Sequence, residues 1–228
     1  MTMRTLFHYA HDPLARQVRL ILHEKNLDIQ DKVLHPLDSL DEIVAMNPAG
    51  SLPVLVDEPP TGGRVAICPV GSIIEYLEEA YPLPALFPAT SAARAETRRL
   101  IHWFNDKFNG EVHPLLSDQY ITKRLRRMGQ PDPEKLRLGR DAIAWHLDYI
   151  NFLTEERDWL GGDRFSVVDL VCAAHLSVLD YIDALPWKDF ARARDWYARI
   201  KSRPSFRPLL ADRVDGLPAA RHYTDLDF

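Results

Sequence analysis

The stretch from Asn47 to Tyr81 constrains this chain more than any other. Asn47-Pro48-Ala49-Gly50-Ser51-Leu52-Pro53-Val54-Leu55 reads as a loop entering a strand, since turn formers give way to an apolar run bounded by Asp57. Pro59-Pro60-Thr61-Gly62-Gly63 turns the chain back, and Arg64 to Cys68 is expected to pair with the first strand as a hairpin. Ser72 to Tyr81 then reads as a helix that stops at Pro82.

The residues on either side complete two different units. Thr5 to Tyr9 is a strand candidate, and Asp12-Pro13 is a strong helix start because Asp accepts an orphan N–H and Pro has none to lose. Leu14, Val18, Ile21 and Leu22 share one face of that helix. Ile29 to Leu34 supplies a further strand and Asp38 to Met46 a short helix or turn, so the order is β-α-β-α-β-β-α. Beyond Pro82, Pro84 and Pro88 nearly everything reads as helix: Ala92 to about Leu125, Glu134 to Leu153, Ser166 to about Asp183, and Ala191 to Ser202 before Arg203-Pro204. Ser166-Val167-Val168-Asp169 is a capping box with Asp in place of Glu, and its helix is apolar almost all round, as suits the centre of a bundle. The expected division is 1–82, a linker 83–90, an all-helical domain 91–211 and a polar tail 212–228.

The totals exclude several functions. A chain of 228 residues with 46% hydrophobic and 27% charged residues has an ordinary globular balance, and a net charge of −5 argues against general nucleic-acid binding. Two cysteines, Cys68 and Cys172, without a CxxC leave neither a disulfide scaffold nor a dithiol redox pair; both read as small core residues. The nine histidines show no metal-binding spacing. No apolar run approaches the roughly 20 residues that span a bilayer, and no signal core opens the chain, so a cytoplasmic protein that is not integral to a membrane is expected.

Asn47-Pro48 with Gly50 before Leu52-Pro53, the helix ending Tyr76-Leu77-Glu78-Glu79, the capping box at Ser166 to Asp169 and the late Arg203-Pro204 occur in an order that resembles the glutathione S-transferases. The resemblance covers about residues 5–210. It implies an α/β thioredoxin-like N-terminal domain followed by an all-α C-terminal domain. It also implies where glutathione would be held. The residue before a cis-proline, here Leu52 before Pro53, offers its backbone to the ligand, although such a loop also persists simply as a fold feature. A Glu-Ser or Gln-Ser pair grips the γ-glutamyl end; Pro69-Val70 stands there, and neither side chain has a polar group. Ser72 is a possible substitute, but with Glu75 it reads as a simple capping box. The thiol-activating position is taken by Asp12, whose ionised carboxylate would repel a thiolate by roughly 4 kcal/mol at 4 Å and an effective dielectric near 20. Asp12 as N-cap needs no catalytic role. His8 occupies the alternative strand position, and Tyr9 is expected on the opposite face. Trp103, Phe104 and Phe108 could line a cleft or simply fill core.

Two surface features remain. Lys123-Arg124-Leu125-Arg126-Arg127 is a basic cluster, either a solvated helix end or a docking patch in which Arg124, Arg126 and Arg127 meet an acidic partner. The end of the chain is either a disordered terminus or a recognition segment, with Tyr223, Leu226 and Phe228 as apolar anchors and Asp225 and Asp227 setting the charge match. Thr5-Leu6-Phe7-His8, Asp12-Pro13, Arg16 to Leu20, Glu75 to Pro82 and the Leu226-Asp227-Phe228 end most resemble the FtsZ-localised, glutathione S-transferase-like division proteins of alphaproteobacteria. That resemblance implies a homodimer without cofactor or glutathione transferase activity, located in the cytoplasm at the division site. It implies binding to FtsZ filaments, changes in their bundling and curvature, promotion of constriction, and a tail that signals toward septal wall synthesis. A glutathione-dependent transferase or reductase with atypical groups, and a binding module or chaperone for another partner, are the alternatives.

Overall fold

A computed structural model describes residues 4–59 and 62–226. β1 (Arg4–His8), β2 (Ile29–Val33), β3 (Val54–Asp57) and β4 (Val65–Ile67) form one sheet in the order β2-β1-β3-β4. β1 pairs parallel with β2 and antiparallel with β3, with Leu6 opposite Leu55; β3 and β4 are antiparallel neighbours. The period-two alternation of a strand sorts the side chains. Leu6 and Leu55 face α1 (Pro13–Glu24) and α3 (Val70–Ala80) in the main core, whereas Phe7, Val54 and Val56 pack with Ile43 of α2 (Asp41–Met46) on the other face.

α1 begins as its sequence demands: Asp12 Oδ1 accepts from Leu14 N at 3.0 Å, and Pro13 occupies the first turn. α3 begins differently from expectation. It starts at Val70 with Pro69 as N-cap, so Ser72 lies inside the first turn, exposed. Glu75 is no capping partner; it takes both nitrogens of a fork from Arg98, at 2.8 and 3.1 Å.

The segment from 91 to 125 is not one helix. α4 (Ser91–His102) widens into a π-helical stretch, Trp103–Phe108, then gives α5 (Asn109–Val112), a 3₁₀ turn at His113–Leu115, a second π stretch at Asp118–Thr122 and α6 (Lys123–Leu125). Pro114 has no N–H to donate, which accounts for the break in the ladder there. α7 (Pro133–Leu153) follows, then the central α8 (Val167–Tyr181), α9 (Ala191–Lys201), a 3₁₀ turn and α10 (Arg207–Leu210). Every residue of α8 is buried. Asp169 holds its start: one carboxylate oxygen takes Leu160 N and Trp196 Nε1, both at 2.9 Å, and the other takes Ser166 N at 2.9 Å.

α1 lies along α8, and polar bonds lock the two units together. Gln17 and Asn105 exchange amide hydrogen bonds at 3.0 and 3.1 Å. Glu24 receives a fork from Arg203 at 2.6 and 2.8 Å. The proline-rich 83–90 segment is clamped as well: Lys25 Nζ bonds Glu78, Tyr81 O and Pro84 O, while Glu78 accepts from Leu86 N and Phe87 N.

Candidate functional site

A cavity of about 480 Å³ opens between the two units, within the size range of small-molecule sites. Its first wall is the β1–α1 corner, Tyr9 to Pro13, with the 33–36 loop beside it. Its second is the broken helix. Asn109, His113, Ser117, Ile121 and Leu125 fall four residues apart, so they line up along one side despite the changes of helix type. Arg213, Val214 and Asp215 of the C-terminal segment form the third.

Asp12 lines this cavity and is half-buried. Its N-cap bond to Leu14 N stabilises the carboxylate, but desolvation outweighs it and raises the pKa to about 7. The repulsion expected from a permanently ionised Asp12 therefore needs correction: near neutral pH the group is partly protonated. Tyr9 also corrects expectation. It lies at the end of β1, lines the cavity and is half-buried, while His8 turns into the protein and bonds Asp31 Oδ1 at 3.0 Å. The turn after His8 ends the strict strand alternation that placed Tyr9 on the wrong side.

A buried chain of hydrogen bonds runs from the cavity into the interface. Ser117 Oγ meets His113 Nδ1 at 2.7 Å, His113 Nε2 meets His175 Nδ1 at 3.0 Å, and His175 Nε2 meets Asn105 Oδ1 at 3.0 Å. Proton positions follow from the far end. The Asn105 oxygen can only accept, so His175 Nε2 donates to it, and in a neutral His175 Nδ1 then accepts from His113 Nε2–H. His113 Nδ1 is left as acceptor for the Ser117 hydroxyl. Burial favours the neutral imidazoles: it pushes His113 down to about 3, and burial first, then electrostatic interaction with His113 and His146, pushes His175 well down. So low a basicity unsuits His113 to activate Ser117 as a nucleophile near neutral pH. His11, beside the cavity, falls to about 2 through burial and then Arg16, Arg19 and Arg213.

The positions expected to hold glutathione have another character. The Leu52–Pro53 peptide is cis, Leu52 is half-buried and Pro53 buried. Pro69 is exposed and Val70 half-buried at the start of α3, where no side-chain cap satisfies the helix N–H groups. These four residues do not line the cavity that Asp12 enters. Of the side chains at sequence-expected positions, the structure brings only Asp12 and Tyr9 to it. His11, His113, Ser117 and Arg213 were missed; the four-residue spacing from Asn109 to Leu125 was the available signal, and for the distant Arg213 there was none.

The proposed surface residues separate into three sets. Arg124 Nε donates to Asp215 O at 3.1 Å, so it braces the C-terminal segment, whereas Arg126 and Arg127 are exposed. Tyr223 as a partner anchor is corrected: its side chain is fully buried, its hydroxyl donates to Leu209 O and accepts from Arg16, and its ring packs on Tyr181. An apolar ring with a satisfied hydroxyl gains more from the core than from solvent. Asp225 and Leu226 are exposed, and Asp227 and Phe228 lie outside the described residues. Phe104 and Phe108 fill core, and Cys172 is buried with its thiol pushed well up by desolvation. Among the described residues no cluster of His, Cys, Asp or Glu could hold a metal ion, and no helix is long and apolar enough to cross a membrane.

A mixed sheet with helices, an adjoining helical domain and a cleft at their junction define a glutathione S-transferase-like protein. The family model for the glutathione S-transferase N-terminal domain matches residues 6–85. Across 99% of this chain and 98% of the relative, the sequence is 48% identical to FtsZ-localized protein A of Caulobacter vibrioides. The solved structure of FzlA from C. crescentus matches with a TM-score of 0.95 at 47% identity, over 99% of this chain and all of that one. A solved glutathione S-transferase from Rhodospirillum rubrum F11 matches at 0.93 and 44% identity, again over 99% and 100%. The chain belongs to the FtsZ-localized protein A family within the glutathione S-transferase-like proteins.

Proposed function

We propose that this chain is a non-catalytic division regulator that binds FtsZ filaments, acts in the cytoplasm at the division site, and promotes filament bundling or curvature and constriction. The observation that carries this reading is the full-length similarity to a protein named for its localisation to FtsZ. The positions expected to hold glutathione agree with it, because Pro69 and Val70 offer no polar side chain where a γ-glutamyl group would need one. The exposed Arg126 and Arg127 form the basic patch for an acidic partner, and Asp225 and Leu226 begin a recognition tip that includes Asp227 and Phe228. Signalling by that tip toward septal wall synthesis rests on the resemblance. Polymerised FtsZ mixed with the protein and pelleted tests the reading: co-sedimentation with altered filament shape is expected, and its failure would reject filament binding.

A homodimer fits an exposed aromatic face on α7 and the adjoining π stretch. Trp145 and Phe152 are 50% and 66% exposed, Trp103 stacks on Trp145, and Tyr149 stacks on Phe152. Covering such a face is favourable, and two copies of a filament-binding surface would cross-link by multivalency. Sedimentation equilibrium should give twice the chain mass, and Phe152→Glu should shift it to the monomer.

A glutathione-dependent transferase or reductase is the second reading. The pKa of Asp12 favours it, since a protonated carboxyl could donate to a thiolate, and so does the relative from R. rubrum described as a transferase. Turnover of a thiol-reactive electrophile, lost in Asp12→Ala, would establish it over the first.

A further inference from the structure

The C-terminal segment is fastened at both ends by charge. At its start Asp212 accepts from Arg16 Nη2 at 3.0 Å and takes both terminal nitrogens of Arg19 at 2.8 and 3.0 Å. Both arginines belong to α1, so the segment leaving α10 is tied across to the N-terminal unit. In its middle Tyr181 holds it: the hydroxyl accepts from Val214 N at 3.0 Å and donates to Leu217 O at 2.8 Å, and Ala220 N reaches Tyr181 O at 2.9 Å. Between these fastenings Arg213, Val214 and Asp215 form a wall of the cleft cavity.

The far end is held by His222. Its Nε2 lies 3.0 Å from Asp180 Oδ1, deep in α8, and its Nδ1 lies 3.8 Å from Asp183 just beyond. From α9, Lys201 Nζ meets Asp180 Oδ2 at 3.0 Å and also donates to His222 O, while the Tyr197 hydroxyl donates to Asp180 Oδ2. Asp225, three residues on, adds a negative charge that acts on Lys201. Protonated His222 adds a cation beside Lys201 to the carboxylates of Asp180 and Asp183, and its loss leaves the fully buried Asp180 with less compensating charge.

We propose that residues 212–223 form a pH-sensitive strap across the cleft, in which protonated His222 ties the far end to Asp180 and loss of its proton loosens the wall made by Arg213, Val214 and Asp215. The sign follows from the partners. The hydrogen bond to Asp180, opposed by desolvation and aided by the charges of Asp180 and Asp183, raises the His222 pKa above its ordinary 6.5. The hold is therefore complete below that ordinary value and is lost as pH rises through the strapped one. Asp12, whose pKa desolvation raises to about 7, faces the cavity that the strap walls, so the test must separate the two.

Hydrogen–deuterium exchange of the full chain at pH 6 and pH 8, corrected for intrinsic rates, reads the strap through peptides covering 211–226. Faster exchange at pH 8, confined to those peptides, is the expected result. Tryptic cleavage at the exposed Arg213 and Arg221 should rise in parallel, relative to cleavage at sites elsewhere in the chain. His222→Gln should abolish the pH response, Asp12→Asn should retain it, and Asp212→Asn should raise exchange at both pH values. Equal corrected exchange in the wild type at the two pH values would overturn the strap, even if a variant failed to fold. A pH response surviving in His222→Gln, or lost in Asp12→Asn, would overturn the role of His222.

Discussion

The positions expected to hold glutathione and the cleft cavity differ in chemical character. Leu52, Pro53, Pro69 and Val70 keep their backbone form with little side-chain polarity. The cavity between Asp12, His113 and the C-terminal strap is crowded with polar groups, many of them bonded to one another, while buried His11 Nε2 has no hydrogen-bond partner among the described residues. A backbone feature survives whatever occupies its side chains, since strand and turn geometry enforce it. A polar side-chain network survives only while each member keeps its partners, because an orphan in a low dielectric is costly.

The largest effect is expected at the strap's start. Asp212→Ala removes the carboxylate that pairs with the buried guanidiniums of Arg16 and Arg19 and should lower stability by about 3–5 kcal/mol in urea unfolding. A loss under about 1 kcal/mol would make the crowded region ordinary surface. Acid should expose the same region next. His113 stays neutral in the folded chain down to about 3, whereas the unfolded chain protonates near 6.5. Its contribution is present above pH 6.5 and falls below it, by about 1.4 kcal/mol per pH unit until its folded value is reached. Melts between pH 7 and 5 should lose stability as pH falls, with His11 and His175 adding to the slope, and His113→Asn should reduce the slope by about that amount.

The glutathione positions can be tested by restoring what they lack. Glutathione should not raise the melting temperature of the wild type. Pro69→Glu with Val70→Ser should confer a gain of about 1.4 kcal/mol at a ligand concentration tenfold above Kd. A wild-type shift of that size would show that the backbone of Leu52 suffices and would equalise the two regions. The smallest effect on folding belongs to the surface: Arg126→Glu with Arg127→Glu should change stability by no more than about 0.5 kcal/mol per substitution while weakening FtsZ co-sedimentation. Undiminished binding would remove the basic patch from the interface.

Much of the fold was legible because local rules and tertiary packing agree. Asp12-Pro13 starts a helix for reasons contained in two residues, and the all-round apolar pattern of 167–181 admits little but a central position. The site was less legible. Glu75 reads as a capping partner until Arg98, 23 residues on, is in place to take it. Tyr223 reads as a recognition anchor in a polar tail until Tyr181, Leu209 and Arg16 surround it. Asp12 reads as an ionised carboxylate, and only burial beneath other parts of the chain brings it to about 7.

The sequence by itself determined the order of elements, the central helix and the loss of polar side chains at Pro69-Val70, since each follows from periodicity, capping or the absence of a functional group. Tertiary structure decided which groups meet: Arg16 with Asp212, 196 residues away, His113 with His175, and the strap with the cleft. Hydrogen bonding and desolvation depend on distances of a few ångströms, and residues far apart along the chain acquire such distances only when the whole of it has folded.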